Sequence, residues 1–452
     1  MAPIFVGSNS DDTRIRSNRV GLAASTADPG TASEGDIYYD STNNKVKTYD
    51  GSSWSAIQGS GTVEVVASGT IPNGATVIIN TDGTVGIVTL VPSNTPTFGS
   101  AVVFESALSN HVSATFDSTN NKVVVAYQDS PNSFNGTAIV GTVSGTSISF
   151  GTPVVFNSGT TSFISATFDS SNNKVVVAYR NESNSDYGTA IVGTVSGTSI
   201  SFGTAVVFES ANSKHVSAVY DSTNGKVVIA YRDDGNSAAG TAIVGTVSGT
   251  SISFGTAVVF ESNNTNYIAP VFDSSNNKVV IAYQDDGNSA YGTAIVGTVS
   301  GTSISFGSAV VFESADTRNI SATFDSSNNK VVIAYMDVGN STYGTAIVGT
   351  VSGTSISFGS AVVFFSSRPE PISTTYDSTN GKVVIAFGDY SNSGHGRAIV
   401  GTVSGTSISF GTSVVFNSAD TSVYIASTYD STNRKVVIGY RDRGNSEYGT
   451  AI

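Results

Sequence analysis

One set of side chains in this 452-residue sequence combines a carboxylate with an amine at a fixed spacing. An aspartate stands five residues before a basic residue, and it recurs as Asp117, Asp169, Asp221, Asp273, Asp325, Asp377 and Asp430. Such carboxylates could bind calcium or exchange protons. A feature present in every unit is more often scaffold, namely an Asx-type turn with a cross-hairpin Asp–Lys pair. We therefore predict a structural role.

A second set has flat side chains at one equivalent position, where the chain enters the first strand of each repeat. We call these seven the rim residues: His111, Phe163, His215, Tyr267, Asn319, Pro371 and Tyr424. Aromatic and imidazole rings stack on sugars or on partner side chains. They could equally just fill the mouth of a central channel, which is the more common role, and the sequence leaves both interpretations open. The candidate ligand-binding residues are His111, Phe163, His215, Tyr267, Asn319, Tyr424, Arg180, Arg232 and Arg441.

Signatures of known catalytic sites are missing from the sequence. It has no Gly-x-Ser-x-Gly elbow, phosphate loop, His-x-x-x-His pair or sialidase box. Glycoside hydrolysis needs two carboxylates, and few acids break the repeat pattern: Glu182, Glu370 and Glu447. The Asp-Asp-Gly-Asn-Ser loops at 233–237 and 285–289 lack the alternate ligand spacing of calcium loops. We predict no enzyme activity, no metal and no cofactor.

The composition narrows the class of partner. The net charge is −13, which argues against binding nucleic acid or anionic lipid. The chain has no cysteine, and we find neither a signal-peptide core nor a membrane span. We expect synthesis in a cytosol without a standard export signal, so that a protein acting outside the cell would leave by lysis or a dedicated machine.

Repeats dominate the organisation of the chain. The segment Gly-Thr-Ala-Ile-Val-Gly-Thr-Val-Ser-Gly-Thr starts at Gly136 and returns 52 residues later at Gly188, then at Gly240, Gly292 and Gly344, in variant form at Gly396 and, shortened, at Gly449. A degraded copy covers residues 84–99. Four strands stand out per unit, in the first at 112–116 (A), 122–127 (B), 137–143 (C) and 147–156 (D). This pattern is typical of a β-propeller.

Counting half-repeats favours a closed ring over a solenoid. There are seven A–B hairpins and seven C–D hairpins, and the chain begins with an unpartnered C–D half and ends with an unpartnered A–B half. Combining them leaves no exposed edge. We predict an all-β, seven-bladed β-propeller of four-stranded blades, with a composite closing blade whose strands C and D come from residues 84–104.

The predicted strand directions define two faces. The A–B and C–D turns share the constant face, which is nearly the same in every repeat. The D–A and B–C loops share the variable face, which carries the rim residues. Any binding is therefore predicted on the variable face.

The first part of the chain differs from the repeats. We divide the sequence into an N-terminal β-rich anchoring module (1–62), a bridging segment (63–83) and the propeller (84–452). Residues 36–57 predict a three-stranded meander. Ahead of it, Arg14, Arg16 and Arg19 form a basic cluster in an acidic chain and are candidate docking or assembly residues.

The N-terminal segment around Arg19-Val-Gly-Leu-Ala and Gly35-Asp-Ile-Tyr-Tyr-Asp resembles modules of marine bacteriophage tail-fibre and virion appendage proteins. The bridging segment and the Gly-Thr-Ala-Ile-Val repeats are similar to segments of the same proteins. The resemblance implies a virion structural protein, made in the host cytoplasm and released by lysis. It would dock on other virion proteins by its N-terminus and present the propeller to a host surface glycan or protein.

Three points remain open on this interpretation. We expect a homo-oligomer, with a trimer as the form common among fibres. One alternative function is a capsid decoration or purely structural appendage without ligand, and a further one is a secreted cell-surface lectin. No nucleic-acid partner and no membrane insertion are expected.

Overall fold

The computed structural model describes residues 24–25, 27–28, 30–33, 36–43, 45–56, 77–79, 85–87, 94–420 and 424–452. The chain divides into two compact units, Met1–Val91 and Pro92–Ile452. This division falls after residue 84, where the ring was predicted to start. The candidate docking residues Arg14, Arg16 and Arg19 lie outside the described residues.

The first unit contains two small sheets. Strands Ala24–Ser25, Ile37–Asp40, Lys45–Tyr49 and Trp54–Ala56 form one sheet, in which the last three make an antiparallel meander. Trp54 packs edge-on against Tyr38, with ring centroids 4.7 Å apart. Val77–Ile79 and Val85–Ile87 pair as a separate hairpin.

The second unit is built from repeated strands. The B strands are Lys122–Asp129, Lys174–Asn181, Lys226–Asp233, Lys278–Asp285, Lys330–Asp337, Lys382–Asp389 and Lys435–Asp442. The C strands are Asn135–Ser144, Tyr187–Ser196, Ala239–Ser248, Tyr291–Ser300, Tyr343–Ser352, His395–Ser404 and Tyr448–Ala451. Short outer D strands follow at Ser147–Phe150, Ser199–Phe202, Ser251–Phe254, Ser303–Phe306, Ser355–Phe358 and Ser407–Phe410.

Long strands carry the chain from the D position of one blade to the A position of the next. Five are continuous: Val102–Asp117, Val154–Asp169, Val206–Asp221, Val258–Asp273 and Val310–Asp325. Two are broken into Val362–Phe365 with Pro369–Asp377, and Val414–Asp420 with Ile425–Asp430. The predicted D–A loop is therefore extended chain whose first half pairs with strand C and whose second half pairs with strand B.

Within the part of the chain that the structure describes, the pairings form seven antiparallel sheets ordered A-B-C-D. We number them as blades 1 to 7, starting with the A strand that ends at Asp117. Neighbouring A strands contact one another around the ring, and the A strand of blade 7 contacts that of blade 1. This arrangement is a β-propeller.

The core lies between the blades, as the apolar B strands predict. Val124 and Ala126 of blade 1 pack in one cluster with Val175, Val177 and Tyr179 of blade 2, all of them inaccessible to solvent. Since each fully buried aliphatic side chain is worth roughly 1.5–3 kcal/mol, strand B is the main source of cohesion between blades. The strand carries Val, Ile and Ala on both faces because it is covered on both sides.

The closing blade differs from the prediction. Strand C there is Tyr448–Ala451, which pairs with strand B at Arg441↔Gly449. The start of the long strand, at Val102 and Val103, supplies the D position by pairing with Ala451 and Thr450. Strand C was predicted to come from residues 84 onwards, and this is wrong, because Val85–Ile87 pairs with Val77–Ile79 instead. The last copy of the repeat follows strand B through a short loop, so its pairing closes a much smaller loop of chain.

Candidate functional site

On the constant face, the seven recurrent aspartates are structural, as predicted. In blade 1, Asp117 Oδ1 accepts the backbone N–H groups of Thr119 and Asn120, at 3.0 and 2.9 Å, and Oδ2 accepts Asn120 Nδ2. The other six aspartates repeat these contacts. These are Asx turns, so both carboxylate oxygens are engaged within the turn.

The predicted cross-hairpin Asp–Lys pair is wrong. Asp117 and Lys122 are register partners, but Lys122 Nζ donates to Thr142 Oγ1 at 2.9 Å. Lys226 and Lys382 make the same contact to the threonine of strand C. Because the aspartate already accepts three hydrogen bonds, the lysine turns to the hydroxyl on the neighbouring strand.

A hydrogen-bonded belt joins the A–B turns of all adjacent blades. It takes two forms, which depend on two residues of the following blade. Where that blade has Phe at the end of strand A and Asn in the turn, a Ser or Thr hydroxyl donates to the Asn, as in Thr119–Asn173, Thr223–Asn277, Ser275–Asn329 and Thr432–Asn121. Where it has Tyr with Gly or Arg, the phenol donates instead, as in Tyr220–Ser171, Tyr376–Ser327 and Tyr429–Thr379.

The belt explains why these two positions change together along the sequence. Removing the Asn removes the acceptor, and the Tyr hydroxyl restores a bond of about the same length, 2.6 Å at Tyr220 compared with 2.6 Å at Asn173. The Thr432–Asn121 bond joins the last blade to the first. The hydrogen bonds on the constant face therefore help to hold the ring of blades closed.

On the variable face, the rim residues have an unusual backbone. His111, Phe163, His215, Tyr267 and Asn319 have φ between 47 and 51°. This is the left-handed region, which bulky residues rarely adopt and which costs about 1–3 kcal/mol. Each lies where the A–B register shifts, between Asn110 and Ser113 in blade 1 for example. These β-bulges re-aim one side chain per blade toward the axis.

The rim side chains pack ring against ring in an arc, each ring plane tilted by 47–52° to the next. Ring centroids are 4.8 Å apart for Tyr424–His111, 5.6 Å for His111–Phe163, 5.4 Å for Phe163–His215 and 5.6 Å for His215–Tyr267. The next two rim positions, Asn319 and Pro371, carry no aromatic ring. We call the five stacked residues the aromatic arc.

The three candidate arginines lie beside this arc. Arg180 is 5.0 Å from the Phe163 ring and bonds Ser162 and Glu182. Arg441 is 5.5 Å from the Tyr424 ring and donates to Asn110 of blade 1. Arg232 reaches across to Asn266 of blade 4, at 2.5 Å, and bonds Asp234 at 2.7 Å. The structure thus brings the predicted rim and arginine residues together on one face.

Burial sets the charge of the arc. It lowers the pKa of both His111 and His215 to about 4, so these imidazoles are neutral at pH 7. Burial also raises the pKa of Tyr267 and Tyr424, which keeps their phenols protonated. The arc is therefore a neutral set of flat, amphipathic rings.

Two of the cavities lined by described residues open at this face. One, of about 270 Å³, lies on the axis inside the aromatic arc, with Val112, Ile164, Val216, Ile268 and Ile320 behind the rings. The other, of about 350 Å³, lies between blades 4 and 5 and we call it the lateral cleft. The lateral cleft is lined by Asn266, Tyr267, Gln284, Asp286, Asp316 and Arg318, with His215 and Ala290 at its edge.

Tyr267 and His215 are the cleft residues that were among the candidates. Asp316 and Arg318 lie just before rim residue Asn319, in a stretch that differs in every repeat, and this variability was the signal that could have found them. Asp286 belongs to a loop that was considered only for calcium. Which variable stretches face each other depends on the ring geometry.

The acids singled out as possible catalytic carboxylates are each held by an arginine. Glu182 bonds Arg180, Glu370 accepts Arg368 Nε at 2.9 Å, and Glu447 lies 3.5 Å from Arg441 Nε. Across the described residues, no three His, Cys, Asp or Glu side chains cluster as a metal site would require. In the Asp-Asp-Gly-Asn-Ser loops, Asp233 accepts Gly235 N at 2.9 Å and Asp285 accepts Asn288 N at 3.2 Å, which caps a short 3-10 turn.

No helix in the described part of the chain is long and apolar enough to cross a membrane. No protein-family model matches the sequence, and no curated protein matches it. Among solved structures, the fold is similar to that of the BP39L lectin of Burkholderia pseudomallei, with a TM-score of 0.60 and 8% identity over 77% of this chain and 96% of that one. A triple arginine-to-alanine mutant of AofleA from Arthrobotrys oligospora has a TM-score of 0.43 and 9% identity over 62% of this chain and 79% of that one. At such identity the first likeness concerns the fold, and it confirms the predicted β-propeller class.

Proposed function

We propose that this protein is a carbohydrate-binding β-propeller that takes glycans on its variable face. The observation that carries the proposal is the aromatic arc of Tyr424, His111, Phe163, His215 and Tyr267 beside a polar cleft. Sugars present apolar C–H faces that stack on rings, and hydroxyl edges that need fixed donors and acceptors. The shared fold with a bacterial lectin supports the same function.

The chemistry of the face favours binding over catalysis. The acids that break the repeat pattern, Glu182, Glu370 and Glu447, all contact arginines, which leaves no pair of free carboxylates among them to act across a glycosidic bond. The rim imidazoles are half-buried and lie between other rings. We therefore propose a binding protein without enzymatic activity.

A finer proposal concerns where the protein works. The resemblance of the N-terminal segment to phage tail-fibre proteins supports a virion appendage that binds host glycan, docked by its first 62 residues. The likeness of the propeller to a lectin supports glycan binding, whether on a virion or on a cell surface, more than it supports a purely structural appendage.

The experiment is to screen the full-length chain on a glycan array and on polysaccharides extracted from marine bacteria. The variant is Phe163→Ala/Tyr267→Ala/Tyr424→Ala, which removes three rings of the aromatic arc. Ser275→Ala, on the constant face, is the control. We expect the triple variant to lose binding and the control to keep it.

Equal binding by the wild-type chain and the triple variant would contradict the site. Absence of any glycan signal for the wild-type chain would contradict the function. Immunogold images of phage particles with an antibody to the ring would test the virion proposal separately.

A further inference from the structure

Gln284 is one residue that keeps the lateral cleft open. At the position after the strand-B aromatic, the chain has Arg180, Arg232 and Arg441 in blades 2, 3 and 7, but Gln284 in blade 4. Arg232 crosses to Asn264 and Asn266 of the next blade and so fills the space between blades 3 and 4. The shorter Gln284 stops at Asp316 Oδ1, at 2.8 Å, and leaves the cleft of about 350 Å³.

Tyr267 and His215 are the arc residues that line this cleft. Phe163 has a ring on each side and Arg180 against it, and Tyr424 has Arg441 beside it. Tyr267 stacks on His215 on one side, and the next rim residue is Asn319. Among the described ring contacts, Tyr267 has no second aromatic partner and no cation–π contact, although Arg318 lies near it in the same cleft.

The polar groups of the cleft are held in place by their own hydrogen bonds. Asn264 and Asn266 both donate to Asp286 Oδ2, at 2.6 and 2.9 Å. Arg318 donates through Nε and Nη2 to the Asp316 carboxylate, at 3.1 and 2.6 Å. Because these donors and acceptors are already ordered, binding a hydroxyl-rich ligand costs little side-chain conformational entropy.

The charges in the cleft select the kind of sugar. It contains two carboxylates, Asp286 and Asp316, and one guanidinium, Arg318, which is already paired with Asp316. A ligand carboxylate would therefore meet net negative charge and a committed arginine. Neutral hydroxyl pairs can accept from Arg318 and donate to Asp286 without such a penalty.

Equivalent positions elsewhere lack one or more of these features. Between blades 1 and 2, the Gln128 amide bonds the Thr161 carbonyl and Asn110. Between blades 5 and 6, the rim residue is Asn319, and Met336 replaces Gln284. We propose that each chain has one principal sugar site, the lateral cleft, and that it takes a neutral pyranose stacked on Tyr267. This inference rests on the proposed function and makes it more specific.

The test is titration calorimetry of the full-length chain with a panel of neutral mono- and disaccharides (mannose, galactose, glucose, fucose and N-acetylglucosamine, with their disaccharides) and two acidic sugars (glucuronic acid and N-acetylneuraminic acid). We expect about one site per chain and affinity for acidic sugars at least about tenfold weaker. Tyr267→Ala should weaken binding about tenfold or more, whereas Tyr267→Phe keeps the ring and stays within about threefold.

The most specific variant is Gln284→Arg, which copies the arrangement of Arg232 in blade 3. We expect it to fill the cleft and weaken binding by about tenfold or more. Its melting temperature should equal that of the wild-type chain. Ser275→Ala should leave the affinity unchanged.

Failure of this inference is distinguishable from failure of the proposed function. If glycans bind but Gln284→Arg and Tyr267→Ala bind like the wild-type chain, the site is wrong and the function stands. Several equal sites per chain, or preference for the acidic sugars, would also overturn the inference. If no sugar on the panel or the glycan array binds, both proposals fall.

Discussion

The two faces of the propeller are made by the same strands, yet they differ in how their residues vary. On the constant face, the variation at the two belt positions is compensated, so that the Tyr220 hydroxyl in one blade makes the bond that Asn173 makes in another. On the variable face, equivalent residues make different contacts: Arg180 stacks on Phe163, Arg232 crosses to the next blade, and Gln284 leaves a cleft. The comparison teaches that covariation marks the scaffold and uncompensated variation marks the surface available for binding.

The largest expected effect comes from removing one Asx carboxylate on the constant face, which tests whether that face stabilises the ring. Asp273 is almost completely buried and accepts three hydrogen bonds in its turn. Asp273→Ala should lower the free energy of unfolding by about 2–3 kcal/mol, because three hydrogen bonds to a buried carboxylate are lost. Chemical denaturation measures the loss.

Asp286→Ala, on the variable face, is the matched variant. It should change stability by less than about 1 kcal/mol, because this carboxylate lies in an open cleft. Equal destabilisation by the two variants would contradict the claim that the constant face stabilises the ring and the variable face binds ligand.

A sharper test exchanges the two forms of the belt. Tyr220→Phe removes the donor to Ser171 and should cost about 1 kcal/mol. Adding Gly225→Asn rebuilds the Phe-with-Asn form. It should recover most of that loss, since Gly225 has φ of 62° and an added Cβ meets nothing closer than 3.8 Å. A double-mutant cycle by denaturation measures the coupling.

Simple addition of the two effects would contradict the belt. Gly225→Asn alone, in a blade that keeps Tyr220, is the control. It should raise the free energy of unfolding little, because the Tyr220 phenol already donates a hydrogen bond to Ser171.

The smallest effect concerns pH and belongs to the variable face. Burial lowers the pKa of His111 and His215 to about 4 from the ordinary 6.5. The unfolded chain therefore binds protons more readily, so the contribution of these residues to stability is complete above pH 6.5 and declines as pH falls toward 4. Both imidazoles are half-buried and keep some contact with solvent, so we expect a smaller loss than a fully buried imidazole would give.

Melting temperatures at pH 7 and pH 4.5 measure this loss. His111→Phe/His215→Phe, which copies Phe163, should show a smaller decrease between the two pH values than the wild-type chain. An unchanged decrease would assign the acid sensitivity to other groups.

Much of the propeller could be predicted from the sequence because its signals are local and repeated. The apolar run at 123–126 in strand B indicated burial on both faces, and the Asp-Ser-Thr-Asn-Asn turn indicated its own hydrogen bonds. The source of strand C in the closing blade was predicted wrongly, since the degraded copy at 84–99 and the shortened copy at Gly449 compete for one position. Only the pairing register decides between them.

The candidate site was predictable in position but not in composition. The repeat comparison placed the rim residues on one face, and the structure stacks five of them. The cleft residues Asp316 and Arg318 come from a different blade than Tyr267 and Gln284, and their meeting depends on how far one blade turns from the next. That rotation is a property of the packed ring, and no local pattern encodes it.

Hydrogen–deuterium exchange of the full-length chain, with and without a bound glycan from the panel, tests the central claim most directly. Ligand should slow exchange in peptides that cover residues 264–267, 284–290 and 316–319, and leave the A–B turns unchanged. Protection confined to the A–B turns, around residues 273–278 for instance, would contradict the assignment of binding to the variable face.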